Sequence, residues 1–163
     1  MSVTIVIPTI GRPTLQRAID SIENQTIKTK YIIQKDLGHW GAATTRNFGM
    51  SRVLTLWVGF CDDDDYLDPN YNKWFIEESA GNDMVIFRMK NSPVDSIPDH
   101  QDVDKLEFNK VGISFAVKTT LANKIQFKDM IGEDWAFIQA VKKAGYKIHI
   151  SKHIAYFIGD LKE

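Results

Sequence analysis

Leu54-Thr55-Leu56-Trp57-Val58-Gly59-Phe60-Cys61, followed at once by Asp62-Asp63-Asp64-Asp65-Tyr66-Leu67-Asp68, decides how the rest of the chain reads. The first eight residues are apolar without alternation. A strand buried on both faces looks like that, and such strands belong to parallel or mixed sheets covered by helices on each side. The acids that follow are five in seven residues. Four consecutive aspartates repel one another, so ionised together and unpaired they destabilise a fold. Many charge runs end as solvated turns, and Asp68 before Pro69 reads that way, as a helix cap. The other four stand directly after a strand expected in the middle of the sheet. In open α/β sheets, ligands bind outside the carboxyl ends of the strands.

Outward from this point, strands and helices alternate. Ser2–Pro8 is a β-branched run stopped by proline and predicts a buried strand. Pro13 suits a first helical position, and Leu15, Ala18, Ile19 and Ile22 recur at helical spacing, which predicts a helix over Pro13–Asn24. Tyr31–Gln34 predicts a strand, Gly38–Gly41 a loop, and Ala42–Ser51 a helix. Beyond the acids, a helix is expected to Ser79 and a strand over Asp83–Met89. Asn91–Asp104, rich in Pro, Asp and Ser, predicts a mobile loop. A strand over Val111–Val117, a short helix over Lys118–Lys124 and a helix over Glu133–Ala144 closed by Gly145 follow. Tyr146–Phe157 predicts one or two strands. The pattern is α/β.

The composition narrows the partners. The chain has 163 residues, 44% hydrophobic and 25% charged, with 20 Lys and Arg against 21 Asp and Glu. One domain spanning 1–163 is expected at this length. Disorder is excluded by the content of apolar residues, and a nucleic-acid partner is disfavoured because no basic surplus exists to neutralise phosphates. The lone Cys61 has no internal disulfide partner, which fits a reducing, cytoplasmic setting. The longest apolar stretch falls well below the roughly 20 residues of a membrane span.

In extended chain, Asp62 and Asp64 point to one side and Asp63 and Asp65 to the other. An Asp-x-Asp pair supplies hard oxygen ligands for Mg²⁺ or Mn²⁺, ions that take one or two protein carboxylates and complete their shells with water and substrate phosphate. An EF-hand does not fit, because its central glycine position falls on Leu67. Glu133 and Asp134 open a predicted helix. There they either favour the helix dipole or, with the upstream acids in view, supply a carboxylate to chemistry.

Three segments, in order, resemble the inverting nucleotide-sugar glycosyltransferases of family 2, with the GT-A fold. They are Val3–Thr26 (VTIVIPTIGRPTLQRAIDSIENQT), Gly41–Tyr71 (GAATTRNFGMSRVLTLWVGFCDDDDYLDPNY) and Gly112–Ile148 (GISFAVKTTLANKIQFKDMIGEDWAFIQAVKKAGYKI), together more than half of the chain. The resemblance implies a Rossmann-like, mixed, mostly parallel sheet with helices on both faces. It implies transfer from a nucleotide-diphosphate sugar, a UDP-sugar foremost, to a hydroxyl of a glycan or other acceptor, with Mn²⁺ or Mg²⁺ as cofactor. Pro8 and Thr9 are then expected to line the nucleotide pocket, with Arg12 in the next turn and Arg46 near the nucleotide or its phosphates. Asp62 and Asp64 match the two acids of the Asp-x-Asp motif, Asp64 on metal, and Asp63 takes the ribose contact if the register shifts by one. Asp134 matches the catalytic base, and Trp135 walls the acceptor site or packs in the core. Asp36 offers the acid that contacts the base of the nucleotide. The segment between it and Arg46 is shorter than the family's, so either one strand–helix unit is missing or the strand at Tyr31 is the third one and Asp36 has no assigned role. Some GT-A enzymes add a late histidine to the metal shell. His153 is the candidate, although the family's position for it falls near Tyr156.

Two other readings compete. One is a non-catalytic module of the same fold that binds nucleotide sugar or glycan. The other is a nucleotidyltransferase, which is expected to carry a glycine-rich, basic loop after the first strand, whereas IPTIGRPT has one Gly and one Arg.

Overall fold

The computed structural model describes residues 2–159. Its strands are β1 (Val3–Thr9), β2 (Lys30–Lys35), β3 (Trp57–Phe60), β4 (Tyr66–Leu67), β5 (Met84–Lys90), β6 (Ser96–Ile97), β7 (Phe115–Lys118) and β8 (Ile148–Phe157). Its helices are α1 (Leu15–Glu23), α2 (Ala42–Ser51), α3 (Tyr71–Glu78), α4 (Thr119–Ile125) and α5 (Glu133–Lys143). The strands form one mixed sheet in the order β2-β1-β3-β7-β5-β8-β4, with β6 against β5. Parallel pairing is confined to β2–β1–β3 and to β5–β8. β7 lies antiparallel between β3 and β5. The sheet is therefore more antiparallel than the strand–helix alternation suggests. The chain reaches β7 through the long 91–114 segment rather than a crossover helix, so nothing forces β7 into parallel alignment.

The core lies on both faces of β1 and β3. Every residue of β1 is buried, as is every residue of β3. Val6 faces α2, where Gly49 leaves no room for a Cβ. On the opposite face, the missing side chain of Gly59 accommodates Ile5 and Tyr71 of α3. Gln25, buried beyond the end of α1, donates to the carbonyls of Ser21 and Asp68 and accepts from the Asn72 amide, so one side chain joins α1, β4 and α3.

Two local expectations change. The strand predicted from Leu54 starts only at Trp57, and Leu54 is 99% exposed. Thr55 ends the run: its hydroxyl bonds the Trp57 carbonyl and the Thr4 hydroxyl, which bends the chain before the strand begins. Asp68 does not cap α3 directly. It forms a tight turn onto the Asn70 amide (2.8 Å), and the helix begins at Tyr71. The 91–114 segment also carries short structure, β6 and a 3₁₀ turn at Val103–Lys105. Gly145, at φ +83°, closes α5 as expected, with Tyr146 N–H on the Val141 carbonyl.

Candidate active site

The acid run leaves the carboxyl end of β3 and turns at once, with the Asp65 amide on the Asp62 carbonyl (3.1 Å). Burial alternates along it: Asp62 and Asp64 are half-buried, whereas Asp63 and Asp65 are buried. Burial thus follows the alternation expected of extended chain, but Asp62, Asp63 and Asp64 line one cleft together. Each acid has its own partner. Asp63 accepts from the Thr9 hydroxyl (2.7 Å) and the Ile10 amide (3.3 Å), which ties the acids to the end of β1. Asp64 pairs with Arg12 (2.5 Å). Asp62 pairs with Arg46 (2.7 Å). Asp65 accepts from the Tyr156 hydroxyl (2.7 Å) and the Gly159 amide (3.1 Å), and the same hydroxyl accepts from the Asp62 amide (3.0 Å). Burial nevertheless pushes the Asp65 carboxyl up to about 6, against the hydrogen bond from Tyr156.

These acids form one wall of a cleft of about 350 Å³ at the carboxyl ends of β1, β2 and β3. Pro8, Thr9, Arg12, Asp36, Asp62, Asp63 and Asp64 all line it. The opposite wall is the start of α2, Gly41, Ala42 and Thr45. A helix start carries unsatisfied amides and a positive dipole end, which suit an anion. Asp36 fixes that start. Its two carboxylate oxygens accept from the amides of Trp40 (2.7 Å) and Gly41 (3.0 Å), and Trp40 packs on Phe48 of α2 (4.8 Å between ring centres).

Arg46 does not line the cleft. It is 3% exposed, with one Nη on Asp62 and the other on Glu133 (2.9 Å), and its guanidinium lies over the Phe127 ring. Burial opposes its charge, but the two carboxylates outweigh burial and hold its pKa above the ordinary arginine value. Beyond Glu133, Asp134 opens α5. Its Oδ1 accepts from the next amide, Trp135 (2.7 Å), and a Cβ at Gly112 would lie only 3.8 Å from its other oxygen. Burial, the foremost cause, raises its pKa above the usual carboxylate value, and neighbouring Glu133 adds to the shift. Trp135 is half-buried and meets Phe108 edge-on.

His153 lies in a different cluster. Its ring stacks on Trp74 (4.2 Å) and its Nε2 is 3.4 Å from Glu78, to which His149 (2.8 Å) and Ser151 (3.0 Å) also bond. Tyr156 is the side chain of β8 that reaches the acids. The sequence pointed to that position without assigning the tyrosine a role, since a single Tyr in a strand reads as core.

Among the described residues, no three His, Cys, Asp or Glu side chains converge to cage a metal. The acids do fit a hard cation held by a single carboxylate. Asp64 faces the cleft with a third of its side chain exposed, and only one of its oxygens is engaged, by a half-exposed Arg12. Such an ion would draw its remaining ligands from a diphosphate and water.

The sequence matches no protein-family model and no curated protein. Solved structures do match. S. aureus TarS 1–349 in complex with UDP-GlcNAc aligns over all of this chain and 59% of its own, at TM-score 0.76 and 17% identity. The mannosyltransferase PcManGT from Pyrobaculum calidifontis, in complex with GDP-Man and Mn²⁺, aligns over 91% of this chain and 56% of its own, at TM-score 0.62 and 14% identity. A197 from STIV aligns over 93% and 82%, at TM-score 0.64 and 21% identity. The chain spans about three fifths of TarS 1–349. The shared architecture is the GT-A-like glycosyltransferase fold. No helix among the described residues is long and apolar enough to cross a membrane.

Proposed function

We propose that this chain is a glycosyltransferase domain that moves a sugar from a nucleotide-diphosphate donor, a UDP-sugar foremost, to an acceptor hydroxyl with inversion. The observation that carries the reading is one continuous arrangement. A cleft walled by acids and a helix start is joined, through Asp62, Arg46 and Glu133, to the half-buried carboxylate of Asp134. Nucleotide-sugar complexes of TarS and PcManGT share the fold and support the donor class.

In this reading Pro8, Thr9 and Asp36 border the nucleotide, and the start of α2 and Arg12 face the diphosphate. Asp64 would hold Mn²⁺ or Mg²⁺, which would supply positive charge where the departing diphosphate becomes more negative. Asp62 stays on Arg46 and keeps the metal side of the acid run in place. Asp134 takes the proton of the attacking hydroxyl at its free oxygen. A raised pKa makes it a stronger base, provided the pH is high enough to keep it ionised.

Incubation with Mn²⁺ and either UDP-GlcNAc or GDP-Man should release nucleoside diphosphate, and Asp64→Ala and Asp134→Ala should each abolish the release. Release undiminished in both variants would sink the assignment. The internal pairing of all four acids favours one other reading, a module that binds nucleotide sugar without turnover. Calorimetry that finds UDP and Mn²⁺ bound, with no turnover of any donor, would select it.

A further inference from the structure

We infer that Arg46 and Asn47 are a positioning pair that sets the carboxylate of Asp134 relative to the donor cleft. The inference rests on the transfer reading above and assigns two residues a task within it. The pair sits mid-way along α2, whose first turn walls the cleft. From there it grips the segment that precedes Asp134 at both ends. Asn47 makes a two-point clamp on the backbone of Phe127, donating to its carbonyl (2.8 Å) and accepting from its amide (2.8 Å). Arg46 holds the far end through Glu133 (2.9 Å) and covers the Phe127 ring at 5.4 Å.

The segment between needs such a grip. Gln126 and Gly132 adopt left-handed backbone (φ +58° and +74°), so the chain turns sharply at each end of it. Met130 and Ile131 between them are exposed, the latter 90%. No helix cap from a side chain fixes the start of α5. Among the described residues, the hydrogen bonds to the Asp134 carboxylate come from backbone amides at the start of its own helix, contacts that cannot orient the helix. Its placement therefore follows from the core packing of α5 through Phe137, Ile138 and Val141 and from two tethers, at Phe127 and at Glu133. Both hang on α2, the element that also borders the diphosphate side of the cleft. One rigid helix thus sets the distance between leaving group and base, and a small misplacement there costs rate without costing affinity.

The two residues differ in a way that makes the inference testable. Arg46 also holds Asp62 on the donor side, whereas Asn47 touches only the Phe127 end. Asn47→Ala should lower kcat for the donor consumed by the wild type tenfold or more, with donor KM and UDP affinity within twofold. Arg46→Lys should move kcat and KM together, because one ammonium cannot reach both carboxylates. Glu133→Gln, which keeps a hydrogen bond to Arg46, should retain most of the rate lost in Glu133→Ala. If Asn47→Ala fails to fold, Asn47→Asp keeps the acceptor for the Phe127 amide and should show the same split. A kcat within twofold of wild type in Asn47→Ala, or a KM rise matching the kcat loss, overturns the inference. If the wild type consumes neither UDP-GlcNAc nor GDP-Man, the transfer reading fails by itself, and amide exchange decides the bracket. Exchange at 127 and at 133–137 should quicken tenfold in Asn47→Ala while β1, β3 and β5 stay protected. Unchanged exchange overturns the bracket.

Discussion

The acids after β3 and the carboxylate at the start of α5 differ in what holds them, although burial raises the pKa of both Asp65 and Asp134. Each acid of the run is matched by a guanidinium, a hydroxyl or an amide drawn from another element. Asp134 has no such match, and burial governs it. A group that must bind cation and diphosphate gains from being held still. A group that must take a proton gains from being reluctantly ionised. On the proposed function, the same residue type, aspartate, takes two tasks according to its partners rather than its own chemistry.

The largest test of that contrast removes the base. Asp134→Asn should lower the transfer rate by roughly 10² to 10⁴ fold, the usual worth of a general base, while UDP affinity measured by calorimetry stays near wild type. Next comes the buried cation. Arg46→Met leaves Asp62 and Glu133 facing each other without it and should cost about 3 kcal/mol in urea unfolding, at the low end for a broken buried pair because both carboxylates keep some solvent contact. Tyr156→Phe removes the bond to Asp65 and the acceptor for the Asp62 amide, and should cost about 2 kcal/mol by the same measurement.

The pH dependence contributed by Asp134 and by Asp83 should differ in sign. The pKa of Asp134 is raised in the folded chain. Its stabilising contribution is therefore present in full below the ordinary aspartate value and is lost as pH rises through the raised one. Asp134→Asn should accordingly be more stable than wild type at neutral pH, with the gap closing in acid. Activity should run the other way, falling as pH drops through the same raised value. Asp83 is the counterpart. Burial works against its charge, but the Lys118 side chain and the Lys147 amide outweigh that and lower its pKa. Its contribution is present above the ordinary aspartate value and is lost as pH falls through the lowered one, so Asp83→Asn should be less stable than wild type at neutral pH, with the gap closing in acid. The smallest effect belongs to the surface: Ile131→Ser should change stability by no more than about 0.5 kcal/mol.

Much of the donor half is legible in the sequence because its signals are local. The β-branched run to Pro8, the apolar run to Cys61 and the adjacent acids give two neighbouring parallel strands and a polar cleft at their ends. The alternation of strand side chains separates Asp62 and Asp64 from Asp63 and Asp65, and the structure buries the second pair. The other half is less legible. β7 between β3 and β5, the two-residue β4 and the Glu78–His149–His153 cluster all depend on pairings between distant segments. Periodicity within a short window carries no record of such pairings. Arg46 shows the same limit within the site. The family resemblance puts it near the nucleotide or its phosphates, yet Asp62 and Glu133, the latter 87 positions away, claim both ends of its guanidinium.

The sequence by itself determined that this chain is α/β, that its acids gather at a strand end, and that a second acidic pair opens a late helix. Each of these is a statement about residues close together along the chain, where backbone geometry alone sets what is near what. Tertiary structure decided which acid meets which partner: Thr9 on Asp63, Arg12 on Asp64, Arg46 across Asp62 and Glu133, Tyr156 on Asp65. Those choices depend on burial and on contacts over long separations, and they determine what each carboxylate is held by.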